Sequence, residues 1–166
     1  MAIRPIRYLG DPVLRTVADP VTEFDSALRA LVADLVDTLL AEPGRAGLAA
    51  PQIGVGLRVF ALDADGWRGH VVNPTLETSG EPLEEDEGCL SLPGLWFPTV
   101  RAAQATVRGY DQYGEQVAVS GSGLLARALQ HECDHLDGRL YIDTLRGQTR
   151  RSALRAVRAA PWAAPG

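Results

Sequence analysis

Two histidines four residues apart, His131 and His135, stand in the stretch Gln130-His131-Glu132-Cys133-Asp134-His135-Leu136-Asp137-Gly138, with a carboxylate beside the first. On a helix, positions i and i+4 share a face, so both imidazoles can reach one metal ion. Glu132 then lies next to any water that ion binds, where it can act as a general base. The flanks agree with a helix. At roughly 100° per residue, Leu124, Leu125, Ala128, Leu129, His131, Glu132, His135 and Leu136 fall on one arc, expected to face inward. Arg127, Gln130, Asp134 and Asp137 fall opposite and are expected to face solvent. Burying His and Glu together is costly unless something pairs with them, and a metal ion would do so. The competing reading is a pair of satisfied core histidines.

A catalytic site of the zinc type takes three protein ligands and leaves one position open. The pattern that continues His-x-x-Gly-x-x-His holds as far as Gly138 but meets Tyr141 where the last histidine belongs. After His135 the only carboxylates are Asp137, on the outward face, and Asp143, and the only other histidine, His70, sits in an expected strand. Cys89 remains, in a glycine-flanked turn that can aim a thiolate. Its bland alternative is a small buried apolar residue. Cys133 is the other thiol, but it points away from the His131/His135 face. A Cys-His-His set suits zinc or ferrous iron, which accept imidazole and thiolate together.

The elements that must hold these residues follow from the pattern. Residues 1–20 carry prolines and a Gly10-Asp11-Pro12 turn signal and read as an extended arm over the domain. The leucine-rich stretch from Asp25 to Ala41 repeats at i, i+3 and i+4 and reads as a packing helix, capped by Asp25 or Ser26 and ended by Glu42-Pro43-Gly44. Gly47 to Gly56 crowds small residues, as where backbone approaches something closely, with Gln52 its one long polar side chain. Arg58–Asp63 and His70–Thr78 read as strands joined through Ala64-Asp65-Gly66, with Asn73-Pro74 as an edge or bulge feature. Glu81–Glu87 reads as a solvated acidic loop. Ala105–Tyr110 and Gln116–Ser120 read as a hairpin, Gly138 as the stop of the histidine helix, and Tyr141–Asp143 as a last short strand. Arg146–Arg158 is arginine-rich and helix-permissive, and Pro161 and Pro165 should fray the end.

A chain of 166 residues with 46% hydrophobic and 22% charged residues is expected to be one globular domain. The net charge of −5 argues against DNA as a partner. All 16 basic residues are arginine. No apolar run suggests a signal peptide or a membrane span, and two cysteines suggest thiols and not a disulfide framework, so the expected location is cytoplasmic.

Three segments together resemble the peptide deformylase family: Arg45-Ala46-Gly47-Leu48-Ala49-Ala50-Pro51-Gln52, Glu87-Gly88-Cys89-Leu90-Ser91, and Gln130 to Leu136. The opening Gly10-Asp11-Pro12-Val13-Leu14-Arg15 is also similar to the family's start, and the likeness runs from about residue 3 to residue 145. It implies an α+β fold, with antiparallel sheets packed around a central metal-binding helix. Residues 1–145 would form the catalytic domain and 146–166 an arginine-rich tail. Carried over, Cys89, His131 and His135 are metal ligands, Glu132 is the acid/base, and Gln52 and the Leu90 N–H stabilise the oxyanion. Gly47, Leu48 and Gly88 line the path of the substrate. The family's metal is ferrous iron, with zinc or nickel as substitutes. The implied reaction removes the N-formyl group from formyl-methionine on new polypeptides, releasing formate, and the enzyme is expected as a monomer. Some family members dock on ribosomal RNA through a C-terminal helix, which the tail here would match. A metallopeptidase of the His-Glu-x-x-His type is the alternative, but it leaves Cys89 and the Gln52 loop without a role. Arg45 departs from the family, which has glycine there; its side chain is expected to point to solvent.

Overall fold

In the computed structural model residues 2–163 are described, so Pro165 and its expected fraying lie outside them. An extended arm with a 3-10 turn at Pro12–Arg15 leads into helix α1, Ser26–Leu40. Asp25 caps α1 by accepting the Leu28 N–H at 3.0 Å, and the stripe of Leu28, Leu31, Leu35 and Leu39 is buried. Strand β1 (Gly47–Ala49) and a 3-10 turn (Ala50–Ile53) come next. Then follow β2 (Val59–Ala64), β3 (Trp67–Ser79), β4 (Leu83–Cys89), β5 (Leu92–Arg101), β6 (Gln104–Tyr110) and β7 (Gln116–Ser122). Helix α2 (Gly123–Leu136) carries both histidines and is followed by a 3-10 turn (Tyr141–Thr144) and helix α3 (Gly147–Ala159).

The named strands pair antiparallel in two sheets, one of five strands in the order β1-β2-β3-β6-β7 and the hairpin β4-β5. Strand β2 reads Val-Phe-Ala-Leu without polar alternation because both its faces are covered. Phe60, Leu62 and Ala64 pack in the cluster with α2, and Val59 and Ala61 in the cluster with α1. Asp65 and Gly66 turn β2 into β3 with φ of 48° and 81°, the left-handed pair that matches the twist of a tight hairpin. At Asn73-Pro74 the register of β3 on β6 shifts between Val72 and Thr75, and the Asn73 side chain ties both backbone groups of Val21. This is the α+β arrangement of antiparallel sheets around a central helix that the motifs implied. No helix among the described residues is long and apolar enough to cross a membrane.

Several local expectations differ. Glu81–Glu87 is not a loop: residues 83–89 form β4, because its partner β5, unforeseen in the sequence, supplies backbone hydrogen bonds and Arg101 supplies charge to Glu87. Tyr141–Asp143 is a 3-10 turn and not a strand, since the Asp143 carboxylate accepts the Leu140 N–H at 2.8 Å and the Thr144 hydroxyl donates to Tyr141 O at 2.7 Å. The supposed outward face of α2 is half buried. Arg127 and Gln130 are each 7% exposed, while Leu124, placed inward, is 49% exposed. The cause is a second neighbour: α2 is flanked by the five-stranded sheet and by the β4-β5 hairpin. Arg127 donates to Thr99 O and Leu83 O, and Gln130 exchanges bonds with the backbone of Ala102.

Candidate metal centre

Helix α2 puts His131 and His135 one turn apart, and β4 ends with Cys89 facing them. The Cys89 Sγ, the two imidazoles and no other described group of at least three such side chains form a cluster whose ligand atoms lie within 4.8 Å of one another. His131 Nε2 and His135 Nε2 are 3.2 Å apart, and Cys89 Sγ is 3.3 Å from His135 Nε2. Tetrahedral bonds of ~2.1 Å to nitrogen and ~2.3 Å to sulfur place donors roughly 3.4–3.6 Å apart. The three atoms are therefore spaced to hold one ion.

The histidine orientation has a visible cause. His131 Nδ1 lies 2.6 Å from Glu87 Oε2. Glu87 also accepts from Arg101 Nη2 at 2.7 Å and from Arg127 Nη1 at 3.0 Å, all three side chains being buried. Burial alone would raise the Glu87 carboxyl, but its bonds to His131 and Arg101 outweigh that and hold it well below the usual carboxylate range. An ionised carboxylate only accepts, so Nδ1 carries a proton and Nε2 is the ring nitrogen that faces the cluster, with its lone pair free for a metal ion when the ring is neutral. Arg101 reaches on to Asp134 at 2.6 Å, closing a network behind the Cys89/His131/His135 cluster. Tyr141 stacks on the His131 ring at 6.0 Å between centroids and donates to Leu95 O at 3.3 Å. His135 Nδ1 has no hydrogen-bond partner among the described residues.

Glu132 is 3% exposed, and its Oε1 has no hydrogen-bond partner among the described residues. Burial lifts its carboxyl to about 7. Gly47 explains itself here: a Cβ would stand 2.6 Å from Glu132 Oε2. Gln52 is 1% exposed; its Oε1 accepts the Ala49 N–H at 2.9 Å, which turns Nε2 toward Ser91 Oγ at 3.1 Å and Cys89 Sγ at 3.7 Å. Leu90 follows Cys89 in the two-residue link between β4 and β5.

These residues open into a cleft of about 570 Å³ lined by Gly47, Gln52, Gly88, Cys89, Leu90, His131 and Glu132, with Leu124, Arg127 and Ala128 along α2. One wall is β1 and the other is β4, each with an edge that no other strand among the described residues pairs. Leu48 sits apart. It is not among the residues that line the cleft, and its side chain is wholly buried in the cluster with α1. Cys133 packs in the core cluster on another side of α2, its thiol pushed up to about 12 by burial. Arg45 does not point to solvent. It folds onto the end of α1, where Nη1 donates to Thr38 O at 2.6 Å, Nη2 lies 3.3 Å from Glu42 Oε2, and the side chain is 15% exposed. Thr38 O, which also accepts the Ala41 N–H at 3.4 Å, is a last-turn carbonyl with a lone pair left for a guanidinium.

Sequence reasoning missed Glu87 as the His131 partner, and with it Arg101, Arg127 and Tyr141. The one available signal was that Glu87 stands two residues before Cys89, so a strand there would turn both to the same side.

Comparison with known proteins agrees with this geometry. The family model for polypeptide deformylase matches residues 3–151. A peptide deformylase of Acidothermus cellulolyticus is 58% identical over 163 residues, covering 98% of this chain and 90% of the relative. One from Mycolicibacterium paratuberculosis is 50% identical, covering 100% of this chain and 93% of the relative. Among solved structures, a peptide deformylase from Legionella pneumophila superposes with a TM-score of 0.86 at 44% identity, covering 93% of this chain and 92% of that one. That of Thermus thermophilus gives 0.87 at 39% identity and covers 95% of each.

Proposed function

The chain belongs to the peptide deformylase family, a hydrolase family that deformylates nascent polypeptides, and from that premise we propose which of its residues do the work. The observation that carries the assignment is the buried Cys89/His131/His135 cluster with Glu132 beside it at the floor of the cleft. Cys89, His131 and His135 hold one divalent ion, which when bound activates water and polarises the formyl oxygen. Ferrous iron is the assigned ion. One thiolate with two imidazoles suits it, as it does zinc and nickel.

The formylated methionine enters with its chain extended between the free edges of β1 and β4, where Gly47, Leu48 and Gly88 offer backbone groups and Gly47 leaves room for the Glu132 carboxylate. Water adds to the formyl carbon. Glu132 takes the proton that water loses and passes it to the departing amine, so the products are formate and a free amino terminus. The Gln52 amide and the Leu90 N–H meet the negative charge that grows on the formyl oxygen; a donor of this kind is worth about 10²–10³ in turnover. The test is Glu132→Ala. It should bind ferrous ion as the wild type does and lose formate release from a formyl-Met tripeptide by about 10²-fold or more. Turnover at the normal rate would remove Glu132 from the mechanism.

The cleft is complete within one chain, which supports a monomer as the working unit, with residues 1–145 as the catalytic part. Substrates of this kind are made where translation runs, so the proposed location is the cytoplasm. Arg146, Arg150, Arg151, Arg155 and Arg158 are all exposed on and beside α3. We assign them to contact with ribosomal RNA, an attraction that weakens steeply with salt. Reversing Arg150, Arg151 and Arg155 to Glu should abolish co-sedimentation with ribosomes at low salt; unchanged co-sedimentation would refute the contact.

A further inference from the structure

The two donors proposed for the growing negative charge sit on opposite walls of the cleft. Gln52 belongs to the 3-10 turn Ala50–Ile53 that follows β1, and Leu90 to the link between β4 and β5. β1 and β4 lie in different sheets, so no strand pairing among the described residues fixes one donor against the other. Their separation still has to be right, because each donor must come within about 2.7–3.2 Å of the same oxygen.

The N-terminal arm spans that gap. The Arg7 N–H donates to Gln52 O at 2.7 Å, and the Leu9 N–H donates to Ser91 O at 2.9 Å. Two arm residues thus hold one carbonyl on each wall, that of Gln52 itself and that of the neighbour of Leu90. The arm's side chains cross the same gap: Ile6 packs against the cluster with α1, and Leu9 against the cluster of Cys89 and Leu92. The arm is itself fixed on both sides. Toward its start, Ala2 N and Arg4 Nε donate to Asp34, and Arg4 N donates to Thr38 Oγ1 at 2.8 Å. Toward its end, the Asp11 N–H closes a turn on Tyr8 O at 3.0 Å with Gly10 at φ 113°, and Arg7 Nη1 donates to Asp11 Oδ2 at 2.8 Å. The Gln52 side chain also reaches across, to Ser91 Oγ at 3.1 Å. A side-chain amide turns about its own bonds, however, whereas two backbone carbonyls held by one short run of chain stay at a set distance.

We propose that residues 7–9 are a positioning strap for the reaction: the Arg7 and Leu9 N–H groups hold the Gln52 turn and the Leu90 link at the separation where their donors converge on one oxygen. The inference rests on the deformylation reading above and on its pair of oxyanion donors. The strap touches no reacting atom. Loosening it leaves both donors present but misaligned, which costs part of the 10²–10³ that a whole donor is worth, about tenfold in kcat. The charge they meet exists only in the transition state, so KM changes less.

The experiment removes the Leu9 N–H. Leu9 is the second residue of the Tyr8–Asp11 turn, a place that proline suits, so Leu9→Pro deletes the donor and keeps the turn. A second protein carries leucic acid at residue 9, which puts an ester oxygen where the N–H was and keeps the packed side chain. Formate release from a formyl-Met tripeptide by the ferrous-loaded proteins gives kcat and KM. Each change should lower kcat about tenfold and leave KM within about twofold. Combined with Gln52→Ala, the further loss should shrink to about threefold or less, since one of the two aligned donors is then gone. An ester protein with kcat within about twofold of wild type overturns the strap, whatever Leu9→Pro does. So does a full tenfold loss on top of Gln52→Ala, which would mark a general loosening of the fold. No formate from the wild type overturns the deformylation reading and the strap with it.

Discussion

Glu87→Gln tests the network behind the proposed metal ligands, because it keeps the shape of the side chain and removes its charge. In the native protein the carboxylate sits 2.6 Å from His131 Nδ1, 2.7 Å from Arg101 Nη2 and 3.0 Å from Arg127 Nη1, with all partners buried. Taking one member from a buried ionic group leaves the others uncompensated, at a cost of about 3–5 kcal/mol. Arg101 keeps Asp134 at 2.6 Å and Arg127 keeps two backbone carbonyls, so the lower end applies. At ~3 kcal/mol, a chain of this size should melt about 6–12 °C lower. The second consequence is at the metal. Losing the carboxylate that fixes a ligand histidine typically weakens metal binding about 10–100-fold. Thermal melts of the metal-free protein and a chelator competition for ferrous ion measure the two effects separately. A variant that melts within 2 °C of wild type and binds the ion within about twofold would refute the role of this network.

Two further outcomes follow from single contacts. Gly47→Ala puts a Cβ 2.6 Å from Glu132 Oε2 and 2.8 Å from the Cδ2 of buried Leu62; the overpacking should cost about 1–3 kcal/mol, and displacing the carboxylate should lower formate release by about 10²-fold. A Tm drop with formate release at the normal rate would show that the glycine serves packing alone. Asp34, which accepts from Ala2 N at 2.7 Å and Arg4 Nε at 2.9 Å, clamps the N-terminal arm to α1. Burial would raise its carboxyl, but those bonds prevail and hold it below its ordinary value of 3.8. A depressed carboxyl stabilises fully above the unfolded value and loses that contribution as pH falls through the folded one. The Tm gap between wild type and Asp34→Asn should thus be widest near neutral pH and close below about pH 4; a gap that stays constant to acid pH would contradict the clamp.

How much of this was legible in the sequence depended on whether local spacing or distant neighbours decided it. The approach of His131 and His135 was legible because helix periodicity alone fixes it, and α1 because its leucines repeat so regularly. Cys89 could be reached by eliminating the other donors. β4 was hidden because its acids break the alternation that marks a strand. Glu84 and Asp86 face water, while Glu87 is buried only because Arg101, thirteen residues past Gly88, comes back to meet it. The burial of Arg127 and Gln130 was hidden for the same reason, since a helix wheel assumes one buried side and α2 has two neighbours. Arg45 looked solvent-bound because nothing local reveals that the Thr38 carbonyl lies beside it.

The most direct test of the central assignment is a titration of ferrous ion into the metal-free protein under anaerobic conditions, read as formate release from a formyl-Met tripeptide. Activity should rise in proportion to added ion and level off at one ion per chain, and Cys89→Ala should show no such rise. Full turnover before any ion is added, or a wild-type titration curve from Cys89→Ala, would contradict the assignment of Cys89, His131 and His135 as the centre of the reaction.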